Sequence, residues 1–234
     1  MKGVYSSPDS LLNRESSRCL YPDTTYGVDS GGDPAVIPDL SFEQFRDFHG
    51  KFYHPANSRI FFSGDDDVLS RLEIMDEYLK EFGESPESKP GSKLLWQKKI
   101  FDEPKREQHP YPVGSGQPEL HMTNINWLVN DEPMTSLEEL TWSILDHLLM
   151  GTASSSLYKT LMESGLGNQI TGGGLSDELL QASFSVGLKG VQPDQVEDVE
   201  KLVLDTLTKI SEEGFSDEAI SSSLNTIEFS VSTT

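Results

Sequence analysis

Apolar residues recur along most of the chain at helical spacing, with short stretches of strand character between them. Ser41 and Gln44 form a capping box in front of one apolar stripe, and Thr135 and Glu138 form a second. Apolar steps of three and four predict further helices at residues 10–20, 68–82, 157–163, 196–210 and 216–227. Apolar runs predict strands at 59–63, 94–101, 120–129 and 182–188. Helices interspersed with strands predict an α+β fold.

A break in composition divides the chain. Residues 84–93 (ESPESKPGSK) are polar and contain two prolines and a glycine, so they are predicted to be a linker. The predicted domains are therefore 1–83 and 94–234. We expect the first domain to be incomplete, with apolar helix faces exposed, and the second to be truncated at its end.

Three consecutive glycines, Gly172, Gly173 and Gly174, precede the strand predicted at 182–188. Two interpretations stay open at this point. The run can be a flexible connection. It can also be an exposed edge that holds an extended chain by its backbone, because a strand without side chains allows another backbone to approach closely.

Charge and composition narrow the choice of partners. The chain of 234 residues has 39 acidic and 18 basic residues and a formal net charge of −21. This charge argues against binding a phosphate backbone and favours neutral or basic partners through long-range steering, unless it serves only to solvate the surface. The single cysteine, Cys19, excludes an internal disulfide. No apolar run is long enough to predict a membrane span, and the first residues do not resemble a targeting segment.

The sequence contains no recognisable catalytic centre. Neither His-Glu-x-x-His nor its inverted form occurs. His49 and His54 are five residues apart, which does not place two ligands on one helix face. His147 is interpreted as a boundary histidine that is hydrogen-bonded to its neighbours, and the acidic run 65–67 as a helix cap and turn rather than a calcium loop.

Several blocks of the sequence nevertheless resemble the presequence-protease group of the pitrilysin/insulinase zinc metalloproteases, and the plant forms in particular. The resemblance runs over nearly the whole chain as far as Ser230. Its most specific blocks are 1–6 (MKGVYS), 26–34 (YGVDSGGDP), 48–49 with 53–57 (FH and YHPAN), 64–67 (GDDD), 175–180 (LSDELL) and 225–230 (NTIEFS).

The resemblance implies mostly antiparallel sheets with helices packed on one face. It also implies an enzyme of four homologous domains that closes around unfolded peptides, with zinc held by an inverted His-x-x-Glu-His motif and a distal glutamate. Those ligands would precede Met1, so we expect this chain to contain no catalytic or metal-binding residue and to be inactive alone. Members of this group are organellar, which implies a mitochondrial or chloroplast location.

In the insulin-degrading branch of the family, a glycine-containing strand of the second domain anchors peptides by strand addition. The resemblance therefore implies a substrate-binding role for Gly172, Gly173 and Gly174. The expected partners are unstructured peptides, with basic ones favoured, and the remaining domains of a larger enzyme, but neither nucleic acid nor membrane. Two functions stay open: part of a peptide-degrading zinc metalloendopeptidase, or a stand-alone non-catalytic protein that binds peptides or other proteins.

Overall fold

The computed structural model describes residues 7–83, 92–98, 103–114, 116, 118 and 120–232. The chain divides into two compact units, Ser30–Leu95 and a larger one formed by Met1–Asp29 with Trp96–Thr234. The helices within the described residues are α1 (Pro8–Leu20), α2 (Phe42–Phe52), α3 (Val68–Leu79), α4 (Ser136–Met150), α5 (Ser156–Glu163), α6 (Val196–Glu213) and α7 (Asp217–Ser232). The strands are β1 (His121–Met122), β2 (Ile125–Leu128), β3 (Gln169–Ser176) and β4 (Ser183–Val191).

The four strands form one antiparallel sheet around β4. β3 pairs with nearly the whole of β4, from Lys189 back to Ser183. β1 and β2 pair with successive parts of the same strand and therefore share its other edge. The strand predicted at 120–129 is thus interrupted, although Thr123 continues the pairing by donating its N–H to the carbonyl oxygen of Leu188 at 2.8 Å.

One face of the sheet forms the hydrophobic core with α4, α5 and α6. Alternate residues of β4 point into this core, which is why its strand was predictable from the sequence. Burying each aliphatic side chain contributes roughly 1.5–3 kcal/mol. The core residues are Leu149, Leu157, Leu161, Phe184, Val186, Leu188, Val191, Val199 and Val203. The predicted α+β fold with an antiparallel sheet is confirmed.

α1 contacts the sheet through polar side chains. Asp9 forms an ion pair with Lys189 at 2.9 Å, and the amide of Asn124 donates to the hydroxyl of Ser16 at 3.2 Å. Tyr21, directly after the helix, is 2% exposed and donates its hydroxyl to the carbonyl oxygen of Gln181 at 2.9 Å. The helix predicted at 10–20 is confirmed, but α1 itself contains no buried residue.

Two predicted strands are wrong in the part of the chain that the structure describes. Residues 59–63 have no strand pairing, and Phe61 is 90% exposed. An apolar run becomes a strand only beside a partner, and the described residues of the smaller unit supply none. Residues 94–98 are also irregular, because the backbone N–H of Gln97 donates to the side-chain oxygen of Gln181 instead of to a strand. Residues 99–101 of that predicted strand lie outside the described residues.

The smaller unit confirms the predicted helix starts. Ser41 and Gln44 form both hydrogen bonds of a capping box, and Asp67 caps α3 by accepting the N–H of Ser70 at 2.7 Å. The aromatic stripe of α2 is exposed, with Phe42 at 70% and Phe45 at 65%. Most of the predicted linker, residues 84–91, lies outside the described residues, so the division into domains 1–83 and 94–234 stays a prediction.

Candidate functional site

The glycine run is part of a β-strand at the edge of the sheet. Gly172, Gly173 and Gly174 lie within β3, which pairs with β4 on one side. No other strand among the residues described, 7–83, 92–98, 103–114, 116, 118 and 120–232, pairs with β3. The interpretation of the run as a flexible connection is therefore wrong.

The backbone at the start of β3 has hydrogen-bonding groups that point away from the sheet. The carbonyl oxygen of Leu188 accepts the N–H of Thr123, and the N–H of Leu188 donates to the hydroxyl of Thr123 at 3.0 Å. Both groups of Leu188 therefore face away from β3. In an antiparallel pair the residue opposite has the reverse orientation, so Ile170, which lies opposite Leu188, points its N–H and C=O to the outer edge.

Gly172 and Gly174 are required by close packing. Both have a left-handed backbone, with φ of 74° and 73°. A Cβ at Gly172 would lie 2.4 Å from the carbonyl oxygen of Ser185, and one at Gly174 would lie 2.0 Å from Oδ1 of Asp146. The register shifts between these two glycines, which is typical of a β-bulge.

Gly173, the middle glycine, has an open environment. No heavy atom lies within 4 Å of the position that its Cβ would take, and the residue is exposed. Its backbone does not have the left-handed φ of its neighbours. Gly173 is therefore the position of the three where a side chain can be added without disturbing β4 or α4.

Asp146 lies at the far end of the open edge. Its carboxylate oxygen Oδ1 accepts the backbone N–H of Leu175 at 2.8 Å. Burial raises the pKa of Asp146, the hydrogen bond from Leu175 and the proximity of His147 oppose this rise, and the charge of Asp177 adds to it. A helix side chain thus occupies the position that a carbonyl oxygen of a neighbouring strand would otherwise fill.

No sequence signal pointed to Asp146 as a site residue. It lies in the middle of α4, and its partner Leu175 is 29 residues further along the chain. Nothing in the neighbouring sequence distinguishes its carboxylate from one that faces solvent. Only the crossing of α4 near β3 brings it to the strand.

The histidines have structural contacts. His49 stacks on Tyr53 with ring centroids 4.7 Å apart, and Nδ1 of His54 accepts the N–H of Ala56 at 3.1 Å. Nδ1 of His147 lies 2.9 Å from the hydroxyl of Ser223, which is 3% exposed, so the predicted boundary role of His147 is confirmed.

The described residues do not fit a zinc site. Among the residues described, no three His, Cys, Asp or Glu side chains are grouped so that they could hold a metal ion. The inverted His-x-x-Glu-His motif is also absent from the full sequence.

The described residues form a central antiparallel sheet with helices packed on one face and a glycine-rich strand at its edge. Residues 39–227 match the family described as the peptidase M16 inactive domain. This match covers most of the chain, which therefore belongs to the peptidase M16 family.

Two of the relatives in sequence are presequence proteases. The chain is 50% identical, over 99% of its length, to presequence protease 1, chloroplastic/mitochondrial, of Arabidopsis thaliana, of which it covers 21%. It is 34% identical, over 97% of its length, to the mitochondrial presequence protease of Mus musculus, of which it covers 22%. The chain thus spans about a fifth of the length of these relatives.

Solved structures share the fold. An M16-like peptidase from Alicyclobacillus acidocaldarius superposes with a TM-score of 0.61 at 19% identity, covering 99% of this chain and 53% of that one. A peptidase M16 inactive domain from Pseudomonas fluorescens gives a TM-score of 0.61 at 17% identity, covering 99% of this chain and 53% of that one.

Within the described residues, no helix is both long enough and apolar enough to cross a membrane.

Proposed function

We propose that this chain is the peptide-binding, non-catalytic part of a presequence-protease-like zinc metalloendopeptidase. Its role would be to hold unstructured peptides in extended form at the outer edge of β3. The open backbone of Ile170, together with the exposed Gly173, is the observation that supports this proposal most directly. Main-chain pairing does not depend on peptide sequence, which suits a site for varied unfolded substrates.

Basic peptides are the proposed substrate class. The formal net charge of −21 would raise the local concentration of cationic peptides and accelerate their association. Attraction of this kind is screened by salt, with a Debye length of about 8 Å at physiological ionic strength. The association rate of a lysine-containing peptide should therefore fall steeply with added salt, whereas that of an uncharged peptide of equal length should change little.

Zinc, hydrolysis and organelle location belong to the same proposal. Zinc would be held by other residues of a larger M16 enzyme, whose remaining domains would be partners of this chain. The mitochondrion or chloroplast is the proposed compartment, in keeping with the names of its relatives. Incubating the purified chain with zinc and an unstructured peptide should give binding without cleavage, and chelator-sensitive cleavage would refute the proposed division of labour.

Exposed apolar residues in the smaller unit support the proposal that further domains are partners. Phe42, Phe45 and Phe48 on α2 are 59–70% exposed, and single-chain soluble proteins seldom expose so large an aromatic stripe. A stand-alone interaction protein is the alternative that the same exposure supports. Light scattering separates the two possibilities. The alternative would be favoured if the chain self-associates, if Phe45→Lys abolishes this self-association, and if the chain binds no peptide.

The peptide-binding role is tested at Gly173. Gly173→Val places a β-branched side chain in open space at the edge and should weaken binding of a long unstructured peptide by about 1 kcal/mol or more, which is about fivefold in Kd. Gly83→Val is the matched control, because Gly83 is also exposed with no heavy atom within 4 Å of its Cβ position. Equal affinities of both variants and the unmodified chain would exclude this site.

A second experiment changes the peptide instead of the protein. N-methylation removes a backbone donor, and a strand presents its donors alternately to either side. If the peptide pairs with β3, methylating successive residues should weaken binding at every second position. A uniform response would indicate that side chains, rather than the backbone, are recognised.

A further inference from the structure

The carboxylate of Asp146 lies where the open edge of β3, the part that can pair with another strand, comes to an end. Leu175 lies opposite Phe184, four residues before Leu188 on β4. Alternate residues of a strand face the same side, so Phe184, like Leu188, faces away from β3, and the N–H of Leu175 is directed away from β4. An added strand would take this N–H as its next donor after the glycine bulge. Oδ1 of Asp146 already accepts it at 2.8 Å.

The position of Asp146 is fixed from two sides. Gly174 provides the space for the carboxylate, because any Cβ there would lie 2.0 Å from Oδ1. Leu175 supplies the hydrogen bond, and a charged acceptor makes such a bond stronger than a neutral one. Asp146 projects from α4, so the carboxylate is held by a helix that packs in the core rather than by a mobile loop.

We propose that Asp146 is a specificity-determining residue of the peptide-binding edge: it limits strand addition to the backbone between Ile170 and Gly173 and so fixes where a bound peptide stops pairing. This inference rests on the proposed function. The accessible edge is then about four residues, or roughly 14 Å of extended chain at about 3.4 Å per residue. A peptide longer than this gains no further main-chain hydrogen bonds beyond Gly173.

The charge of Asp146 adds a second restriction. A peptide carbonyl arriving next to Leu175 would meet a carboxylate instead of a free N–H, and two acceptors repel each other. Asp177 is the other acidic group close enough to affect Asp146, and His147 is the neighbouring titratable group that opposes it. The end of the edge is therefore unfavourable to a carbonyl group.

The test is amide hydrogen exchange of the full chain with and without an unstructured peptide of lysine, serine and alanine. In the unmodified chain, the peptide should slow exchange of the outward-facing N–H groups between Ile170 and Gly173 but leave Leu175 unchanged. The N–H of Thr171 already faces β4, so its exchange should not depend on the peptide. In Asp146→Ala, Leu175 should exchange fast when free and become protected when peptide is bound. Affinity should rise up to about fivefold, the equivalent of one additional hydrogen bond.

Two variants separate the hydrogen bond from the charge. Asp146→Asn retains an oxygen acceptor and should keep Leu175 protected without peptide, with the binding edge still ending at Gly173. Asp177→Asn removes a nearby charge but keeps Asp146, so its exchange pattern should match that of the unmodified chain. Exchange rates of β4 in the absence of peptide show whether each variant is folded.

Three results would contradict these expectations, and they differ in meaning. Protection of Leu175 by peptide in the unmodified chain would overturn the limiting role of Asp146, and this result needs no variant. Protection that still ends at Gly173 in Asp146→Ala would overturn it as well. Absence of peptide protection anywhere in β3, in all variants, would instead refute the proposed function on which the inference rests.

Discussion

Adding a methyl group at Gly174 should destabilise the sheet far more than adding one at Gly173. Gly174 has φ of 73°, and its Cβ would lie 2.0 Å from Oδ1 of Asp146. Gly173 has neither constraint. The two substitutions add the same atom to adjacent residues of one strand, so Gly173→Ala is an internal control for Gly174→Ala.

The expected magnitude has two parts. A non-glycine residue in the left-handed conformation costs about 1–2 kcal/mol. The carboxylate of Asp146 is the flexible partner in the clash, so it rotates away and the bond to Leu175 is lost, at about 1.5 kcal/mol for a half-buried charged acceptor. We therefore expect Gly174→Ala to lower the free energy of unfolding by about 3 kcal/mol. Gly173→Ala should be neutral or stabilise by about 0.5 kcal/mol.

A double-mutant cycle isolates the carboxylate part. In an Asp146→Ala background the hydrogen bond to Leu175 is already absent, so Gly174→Ala should cost only the conformational 1–2 kcal/mol, and the coupling energy should be about 1.5 kcal/mol. Urea denaturation followed by tryptophan fluorescence, to which Trp127 beside Phe184 in the sheet contributes, measures these values. Equal costs of Gly174→Ala in both backgrounds, or equal effects at Gly173 and Gly174, would refute the reasoning.

Further predictions concern the core, the Tyr21 contact and pH. Leu161→Ala, at a site of 0% exposure, should cost about 2–5 kcal/mol, whereas Leu204→Ala, at 43% exposure, should cost under about 1 kcal/mol in the same denaturation assay. Tyr21→Phe should cost about 1–2 kcal/mol, because the buried carbonyl oxygen of Gln181 loses its donor. Burial raises the pKa of Asp146 above 3.8, so its contribution to stability is present below that pH and is lost as pH rises through the higher folded value. Asp146→Asn should remove this loss, measured as denaturation midpoints against pH.

Local signals in the sequence predicted the helices well. The capping boxes at Ser41 and Thr135 form both of their hydrogen bonds, and the helix starts follow them directly. A cap joins residues three positions apart and the apolar stripe repeats every turn, so both are properties of a short segment. The same holds for β4, whose alternation reflects burial of every second side chain.

Contacts between distant segments were not predictable in this way. The apolar run at 59–63 has the composition of a strand, yet it forms none. A strand needs a neighbouring strand to pair with, and the run itself does not indicate whether one is present. Gln97 fails as a strand residue because its backbone bonds the side chain of Gln181, 84 residues away. Asp146 was missed for the same reason, since nothing near it in sequence indicates Leu175.

The three glycines do not count equally as evidence for peptide binding. Gly172 and Gly174 are already explained by the fold, because a side chain at either would clash with Ser185 or Asp146, so their presence would be expected even if no peptide ever bound. Gly173 has no such explanation, since its surroundings would accept a larger residue. Gly173 and the outward-facing groups of Ile170 are therefore the features that support a backbone-binding edge, and counting all three glycines as a motif would overstate that support.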